Sequence, residues 1–241
     1  MFYFDEIFGK KILKSDLLGA EHFFTTRESF IKTKDPEEER VVADNYKSIC
    51  EYLNVDKLIS PSQTHTSHIE IAETSKQDYP DTDGLIVKDK GVTIFLNFAD
   101  CTPVMFYDEK LKIGAVSHAG WRGTAGRIAA KTVNKMTDCF GSQPKNIVAL
   151  IGPAISMCCY DVGEEVLSKL KATVDDFSGL SEVRDGRIYV DLKGINRQQL
   201  IETGVSKIDV CPYCTCCDND MFFSYRKENA TTNRHSAILK L

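Results

Sequence analysis

No apolar run in this 241-residue chain approaches the length needed to cross a bilayer, so no membrane-spanning segment is expected. The opening segment, MFYFDEIFGKK, places acidic residues inside its apolar run and offers no small-residue cleavage site, which argues against an export signal. Positive charge is in deficit: 30 Lys and Arg against 35 Asp and Glu leave a net charge of −5. A basic face that would neutralise nucleic-acid phosphates is therefore not expected. The chain also lacks internal repeats, low-complexity tracts and Pro- or Ser-rich linkers. One mixed α/β domain spanning residues 1–241, in a cytoplasmic protein, is the expectation.

Cysteine, by contrast, is abundant at nine residues. The odd count and the missing export signal speak against a disulfide framework. Cys50 and Cys139 fall at apolar positions of predicted helices and read as small core hydrophobes. Six others cluster, as Cys158-Cys159 and as Cys211, Cys214, Cys216 and Cys217 in CPYCTCC. A structural zinc site there needs a second pair elsewhere, for which Cys158-Cys159 is the only candidate. Buried thiols against the core are the expectation.

Helical spacing of Val42, Tyr46, Ile49 and Leu53 predicts a helix that starts at Asp35-Pro36. Strands are predicted at Lys57 to Ile59, Leu85 to Val87, Val92 to Phe98, Asn146 to Ile151, Ile188 to Val190 and Ile208 to Val210, with one or two more in residues 1–30. Met221 to Tyr225 and Ser236 to Leu241 follow as further apolar segments. Helices are predicted at Thr124 to Phe140, Val162 to Ala172 and Asp191 to Thr203.

The stretch Asn97 to Arg127 organises the rest. Its apolar runs Thr102 to Tyr107 and Ile113 to Ser117 flank Asp108 to Lys112 and read as a β-hairpin. With the turn centred near Lys110, Cys101 and His118 face each other at the open end. Opposed residues there have Cβ atoms about 5 Å apart. A thiol and an imidazole so placed serve either of two chemistries. Joined by His65, they make a Cys/His/His metal set with one position left open, as in catalytic zinc sites. Without metal, they make a thiolate–imidazole pair for nucleophilic hydrolysis. Gly120, Gly123 and Gly126 then open a helix beside Arg122 and Arg127. Backbone N–H groups and guanidinium groups together suit a phosphate or carboxylate.

Several motifs stand in order: Gln63-x-His65, Asp83-Gly84-Leu85, Ala99-Asp100-Cys101-x-Pro103-Val104, Ser117 to Gly123, Ile151 to Ile155, Cys159-Tyr160-x-Val162-Gly163, Cys214-Thr215 and Phe223-Ser224-Tyr225-Arg226. With these the chain resembles the YfiH-like laccase-domain family, also called the polyphenol oxidase or purine nucleoside phosphorylase family, over nearly its whole length from Phe23. The resemblance implies a layered αββα sandwich of the YfiH/CNF-like type. It also implies a zinc site at His65, Cys101 and His118, and phosphorolysis of adenosine, inosine and methylthioadenosine with adenosine deamination at that one site. Phosphate would be held by Gly120, Arg122 and Gly123 with Arg27 or Arg226, and Gln63 joins the substrate-binding set. Asp100 would orient His118. Tyr225, or Phe24 with Trp121, would stack on the base. The partners implied are a purine nucleoside and phosphate, with the protein a monomer or weak homodimer. Thr66 and Asn233 stand where the family usually has glycine, and Thr66 would narrow the pocket.

Five histidines are too few for a multicopper oxidase centre. Copper at the single Cys/His/His set, with weak phenol oxidation, stays open because copper outcompetes zinc for such ligands. The competing enzyme reading is a cysteine hydrolase or amidase with Cys101 as nucleophile, in line with a peptidoglycan-editing role in the same family. A metal- or nucleotide-binding module without catalysis is the reading from another class.

Overall fold

The branched and aromatic runs of the sequence form most of the strands. In chain order they are β1 (Phe2–Ile7), β2 (Lys10–Ser15), β3 (Glu21–Thr25), β4 (Ile69–Ile71), β5 (Gly84–Val87), β6 (Thr93–Phe98), β7 (Thr102–Asp108), β8 (Ile113–Ala119), β9 (Ile147–Ile151), β10 (Asp161–Val162), β11 (Ser181–Arg184), β12 (Arg187–Val190), β13 (Lys207–Val210) and β14 (His235–Lys240). The helices are α1 (Glu39–Leu53), α2 (Trp121–Ala125), α3 (Ile128–Phe140), α4 (Glu164–Lys171) and α5 (Leu192–Glu202). This computed structural model describes residues 1–76 and 78–241.

Two sheets stack face to face. One is five-stranded, in the order β1-β2-β3-β14-β6, and the other six-stranded, in the order β13-β9-β7-β8-β5-β4. Phe24, Leu96, Phe98 and Leu239 of the first interleave with Leu85, Met105, Val116 and Leu150 of the second to form the central core. Period-two alternation sends the other side chains outward to a helix on each side. Ile12, Phe23, Phe95 and Ile238 pack on Ile49 and Leu53 of α1. Val104, Phe106 and Ala149 pack on Ile128, Val133 and Met136 of α3 and Leu200 of α5. The layers are therefore α/β/β/α within one mixed α/β domain, as expected. No helix among the described residues is long and apolar enough to cross a membrane.

Several local expectations change. Lys57 to Ile59 contributes only an isolated bridge, Ile59 to Ile94. Residues 1–30 carry three strands, and Met221 to Tyr225 carries none. Asp35 does accept a hydrogen bond from Glu37 N at 3.0 Å, but the turn it caps is a 3₁₀ segment leading into α1. The predicted helix from Thr124 to Phe140 is broken between α2 and α3. Gly126 lies so close to the 62–68 segment that a Cβ on it would sit 2.9 Å from the Ser67 Cβ. Arg127 then takes a left-handed conformation, φ 56°, and turns its guanidinium to the Thr173 carbonyl and the Glu202 carboxylate. Cys50 is a core residue, but Cys139 is exposed.

His235, at the start of β14, is fully buried between Phe98 and Phe222. Burial, with the neighbouring positive charge of Arg234, pushes its imidazole down to about 3, so it is a neutral core side chain.

Candidate metal centre and its cleft

The site is assembled where three chain segments meet. β7 and β8 pair with Thr102 opposite Ala119 and Pro103 opposite His118, two residues away from the Cys101–His118 pairing expected from the sequence. Cys101 is therefore diagonal to His118 rather than directly across from it. Because Cys101 and Pro103 are two residues apart and share a face, thiol and imidazole still project to the same side. His65 arrives from the 62–68 segment in a left-handed conformation, φ 67°. The ligating atoms of His65, Cys101 and His118 all lie within 4.8 Å of one another. The two imidazoles meet edge to face, with centroids 4.9 Å apart.

Asp83 builds this geometry. Its fully buried carboxylate accepts Nδ1–H of His118 at 2.8 Å, leaving Nε2 as the ring nitrogen free for a ligand. The same carboxylate accepts the backbone N–H groups of Thr64 at 3.2 Å, His65 at 3.1 Å and Thr66 at 2.7 Å, and the Thr66 hydroxyl at 2.9 Å. One residue thus fixes both histidines. Burial alone would raise its pKa, but the His118 hydrogen bond and charge, with the Thr66 donors, hold it down at about 2. Thr66 is spent on this carboxylate and does not line the cleft, so it does not narrow it.

The expected orienting role of Asp100 is corrected by the same contacts. Asp100 Oδ1 accepts the Thr215 hydroxyl and Oδ2 accepts Arg226 N–H, each at 2.7 Å. At φ 82° it is the bend that delivers Cys101, tied to two distant loops.

Burial would push the Cys101 thiol up, but the charge and hydrogen bond of His118, helped by His65, pull it well below the ordinary thiol range. His118 moves the other way. Burial disfavours its proton, while the Cys101 charge and the Asp83 hydrogen bond more than restore it. The metal-free pair is a thiolate facing an imidazolium. A thiolate and two oriented imidazoles at ligating distance form a donor set that could hold a metal ion.

The three groups open on a cleft of about 1100 Å³. Gln63, Tyr225 and Arg226 reach its wall, but two of them are already engaged. The Gln63 amide donates to Asn97 O at 2.9 Å and accepts Asn97 N–H at 2.8 Å, which staples the His65 segment to β6. The Arg226 guanidinium pairs with Asp161.

Arg27, Gly120, Arg122 and Gly123 do not line the cleft. Arg27 covers the Phe223 ring and pairs with Glu228 at 2.6 Å, and Arg122 is exposed and stacks on Trp121. The glycines serve close approach instead. A Cβ on Gly120 would lie 2.8 Å from the Cys101 sulfur, and one on Gly123 would lie 2.9 Å from the His118 carbonyl. Phe24 is buried in the central core and Trp121 packs with α4 and α5, so of the proposed stacking residues only Tyr225 faces the cleft.

The sequence reading missed Lys32, Lys34, Tyr160 and Arg234 in the wall. Arg234 is half-buried, and no carboxylate lies within ion-pair distance of it among the described residues.

The remaining histidines are not at this centre. His22 accepts Ser15 N–H at 3.2 Å, His68 pairs with Glu70 at 3.4 Å, and His235 is in the core. Among the described residues only one group combines imidazoles with a thiol at ligating distance, which leaves no room for a multicopper cluster.

A family model described as "Multi-copper polyphenol oxidoreductase laccase" matches residues 23–241. A purine nucleoside phosphorylase YlmD from Geobacillus stearothermophilus is 36% identical over 213 residues, covering 82% of this chain and 78% of the relative. An adenosine deaminase RL5 from an unknown prokaryotic organism is 32% identical over 196 residues, covering 76% of this chain and 74% of the relative. The crystal structure of a hypothetical protein YfiH from Bacillus licheniformis superposes with a TM-score of 0.88 at 30% identity, covering 95% of this chain and 96% of that one.

Proposed function

The chain belongs to the multi-copper polyphenol oxidoreductase laccase family, the YfiH-like proteins, and from that membership we propose that it is a zinc-dependent purine nucleoside phosphorylase that also deaminates adenosine. The observation that carries this reading is the convergence of His65, Cys101 and His118 on a cleft whose wall also holds Lys32, Lys34, Arg226 and Arg234. The substrates are adenosine, inosine and methylthioadenosine, with phosphate as co-substrate.

Zinc held by His65, Cys101 and His118 would supply Lewis acidity at the coordination position that faces the cleft. The chain's own groups do the rest. Arg234, with a guanidinium that has no carboxylate partner, holds phosphate in bidentate fashion, and Lys32 and Lys34 add positive charge at the rim. Tyr225 offers its ring face to the purine. Phosphate oxygen bonds to the ribose anomeric carbon as the glycosidic bond breaks, and the purine leaves with the bonding pair and takes up a proton. Burial, reinforced by negative charge at Cys101 and Asp100, raises the Tyr160 phenol, so it stays neutral and offers a hydrogen bond, not a proton, from the cleft wall. Deamination uses the same pocket: a water oxygen bonds to the ring carbon that carries the amino group, the C–N bond breaks, and the nitrogen takes up a proton and leaves as ammonia.

The test is incubation of zinc-loaded protein with adenosine, with and without phosphate, before and after chelation. Adenine and ribose-1-phosphate should appear only with phosphate, inosine in either buffer, and neither after chelation. Unchanged adenosine from zinc-loaded protein would overturn the proposal. Arg234→Ala is expected to raise KM for phosphate at least about 10-fold, the scale of one lost charge-assisted contact, while inosine formation changes little. Arg122→Ala is expected to alter neither, which steady-state kinetics at varied phosphate would check.

One observation favours a second reading. The Cys101 thiolate beside a protonated His118 is also the arrangement of a cysteine nucleophile, which would serve an amidase such as a peptidoglycan-precursor editor. A nucleophilic Cys101 must be free of metal to attack.

A further inference from the structure

The cysteine cluster outside the cleft is not a set of core thiols. β9 and β13 are parallel neighbours, so the chain leaves both at the same end of the sheet. The ladder continues as a bridge between Ala154 and Cys214 and a hydrogen bond from Thr215 N to Ala154 O at 3.1 Å. This brings Cys158 and Cys159, in one loop, against Cys214 and Cys217, in the other. All four sulfurs lie within 4.8 Å of one another, with Cys217 Sγ 3.5 Å from that of Cys158 and 3.4 Å from that of Cys159. Around a tetrahedral zinc with Zn–S bonds of about 2.3 Å, sulfurs are about 3.8 Å apart. The two Cys217 separations are within a few tenths of an ångström of that value, and all six separations fall within 4.8 Å.

Its surroundings suit thiolates. Cys214 Sγ accepts Ser156 N–H at 3.3 Å, and the backbone N–H groups of Cys216 and Cys217 also turn toward it. The Cys-x-x-Cys that matters is therefore Cys214 to Cys217, whereas Cys211 points into the core. Arg184 donates from Nη2 to the carbonyls of Met157 at 2.7 Å and Cys158 at 3.2 Å, placing positive charge beside a shell that would carry excess negative charge. Without a cation Cys158 and Cys159 hold their protons: burial, with S–H bonds donated to neighbouring thiols, pushes Cys158 up to about 12 and Cys159 higher still, whereas backbone donors pull Cys214 down. A disulfide does not use the cluster well. Consecutive Cα atoms are about 3.8 Å apart, short of the roughly 4.4 Å at which disulfides begin, so Cys158 and Cys159 do not pair with each other.

We propose that Cys158, Cys159, Cys214 and Cys217 form a second metal site, a tetrathiolate shell for a soft divalent cation, zinc foremost, separate from His65, Cys101 and His118. Four thiolates select soft metals and leave no open position, which makes the site structural rather than catalytic. Binding releases the thiol protons to solvent. The shell clamps two loops that build one side of the cleft: Tyr160 follows Cys159, and Thr215, between the two ligands of its loop, donates to Asp100 at 2.7 Å.

The test uses the full-length Cys101→Ala chain, in which the catalytic ligand set is broken, analysed for metal by native mass spectrometry and elemental analysis after zinc loading and desalting. One zinc per chain is expected. Cys158→Ser and Cys217→Ser, each combined with Cys101→Ala, should lose that equivalent. If those variants fail to fold, cobalt loading of Cys101→Ala keeps the question open to a decision, since four thiolates give an intense charge-transfer absorption that other donor sets do not. Chelation should also expose four additional thiols to alkylation. A zinc-free Cys101→Ala protein overturns the proposal, whether its mass shows hydrogens lost to disulfides or all four thiols alkylate freely in zinc-containing buffer.

Discussion

Replacing Asp83 with alanine is expected to lower stability by about 3–5 kcal/mol, because it strands a buried imidazolium together with three backbone donors and a hydroxyl. For a chain of this size that is a fall in Tm of roughly 10 °C or more, readable by thermal denaturation. Asp83→Asn preserves the shape but turns an NH₂ group toward N–H donors, so it should fold more weakly and bind metal about 10–100-fold less tightly. The pH dependence has a defined sign. The folded carboxylate is held at about 2 against an ordinary 3.8, so its contribution is fully present above pH 3.8 and lost as pH falls through about 2. Asp83→Ala should therefore flatten the acid limb of the stability curve. Asp100→Asn is the control: it disturbs only the Thr215 and Arg226 contacts and should leave metal affinity unchanged. Equal loss of metal in both variants would mean that Asp83 does not orient the ligand.

Asp83 also shows where sequence reasoning stops. The strand at Leu85 to Val87 reads correctly from the sequence, and nothing local reveals that the Asp83 carboxylate just before it meets His118. That contact exists because β5 pairs with β8, with Gly84 opposite Ser117, and Asp83 O accepts His118 N–H at 2.7 Å. The pairing joins residues more than thirty positions apart and depends on the order of strands in the sheet, which no short motif encodes. The hairpin of β7 and β8 is local and was legible to within two residues, and the nearness of Cys101 to His118 followed from it. Arg122 and Arg234 mark the same boundary. The glycines around Arg122 suggested an anion cradle, but they serve close approach instead, Gly120 to the Cys101 sulfur and Gly123 to the His118 carbonyl. Arg234, on the far side of the sequence, reaches the cleft only because β14 lies beside β6. The cysteine loops meet for a similar reason, the parallel pairing of β9 with β13.

The largest effect on turnover is expected from the ligands themselves. Cys101→Ala, His65→Ala and His118→Ala should each reduce phosphorolysis on the order of 10³-fold, the equivalent of roughly 4 kcal/mol of Lewis-acid stabilisation. Because the three act as one unit, the double variant Cys101→Ala/His118→Ala should be no slower than either single change. The nucleophile reading gives a different pattern: Cys101→Ala abolishes activity, while His65→Ala, which leaves the thiolate and its His118 partner in place, retains most of it. Alkylation separates the two chemistries directly. In metal-free protein the Cys101 thiol is held at about 6, so its reaction with iodoacetamide should rise through pH 6. It should then stay level until His118 loses its proton near pH 9, where an ordinary thiol of about 8.5 is only completing its rise. Zinc should suppress that alkylation and restore phosphorolysis in parallel, because one sulfur lone pair cannot both hold the metal and attack the reagent. Alkylation that proceeds unhindered in zinc-loaded, catalytically active protein would place the sulfur outside the metal shell and transfer the case to the hydrolase.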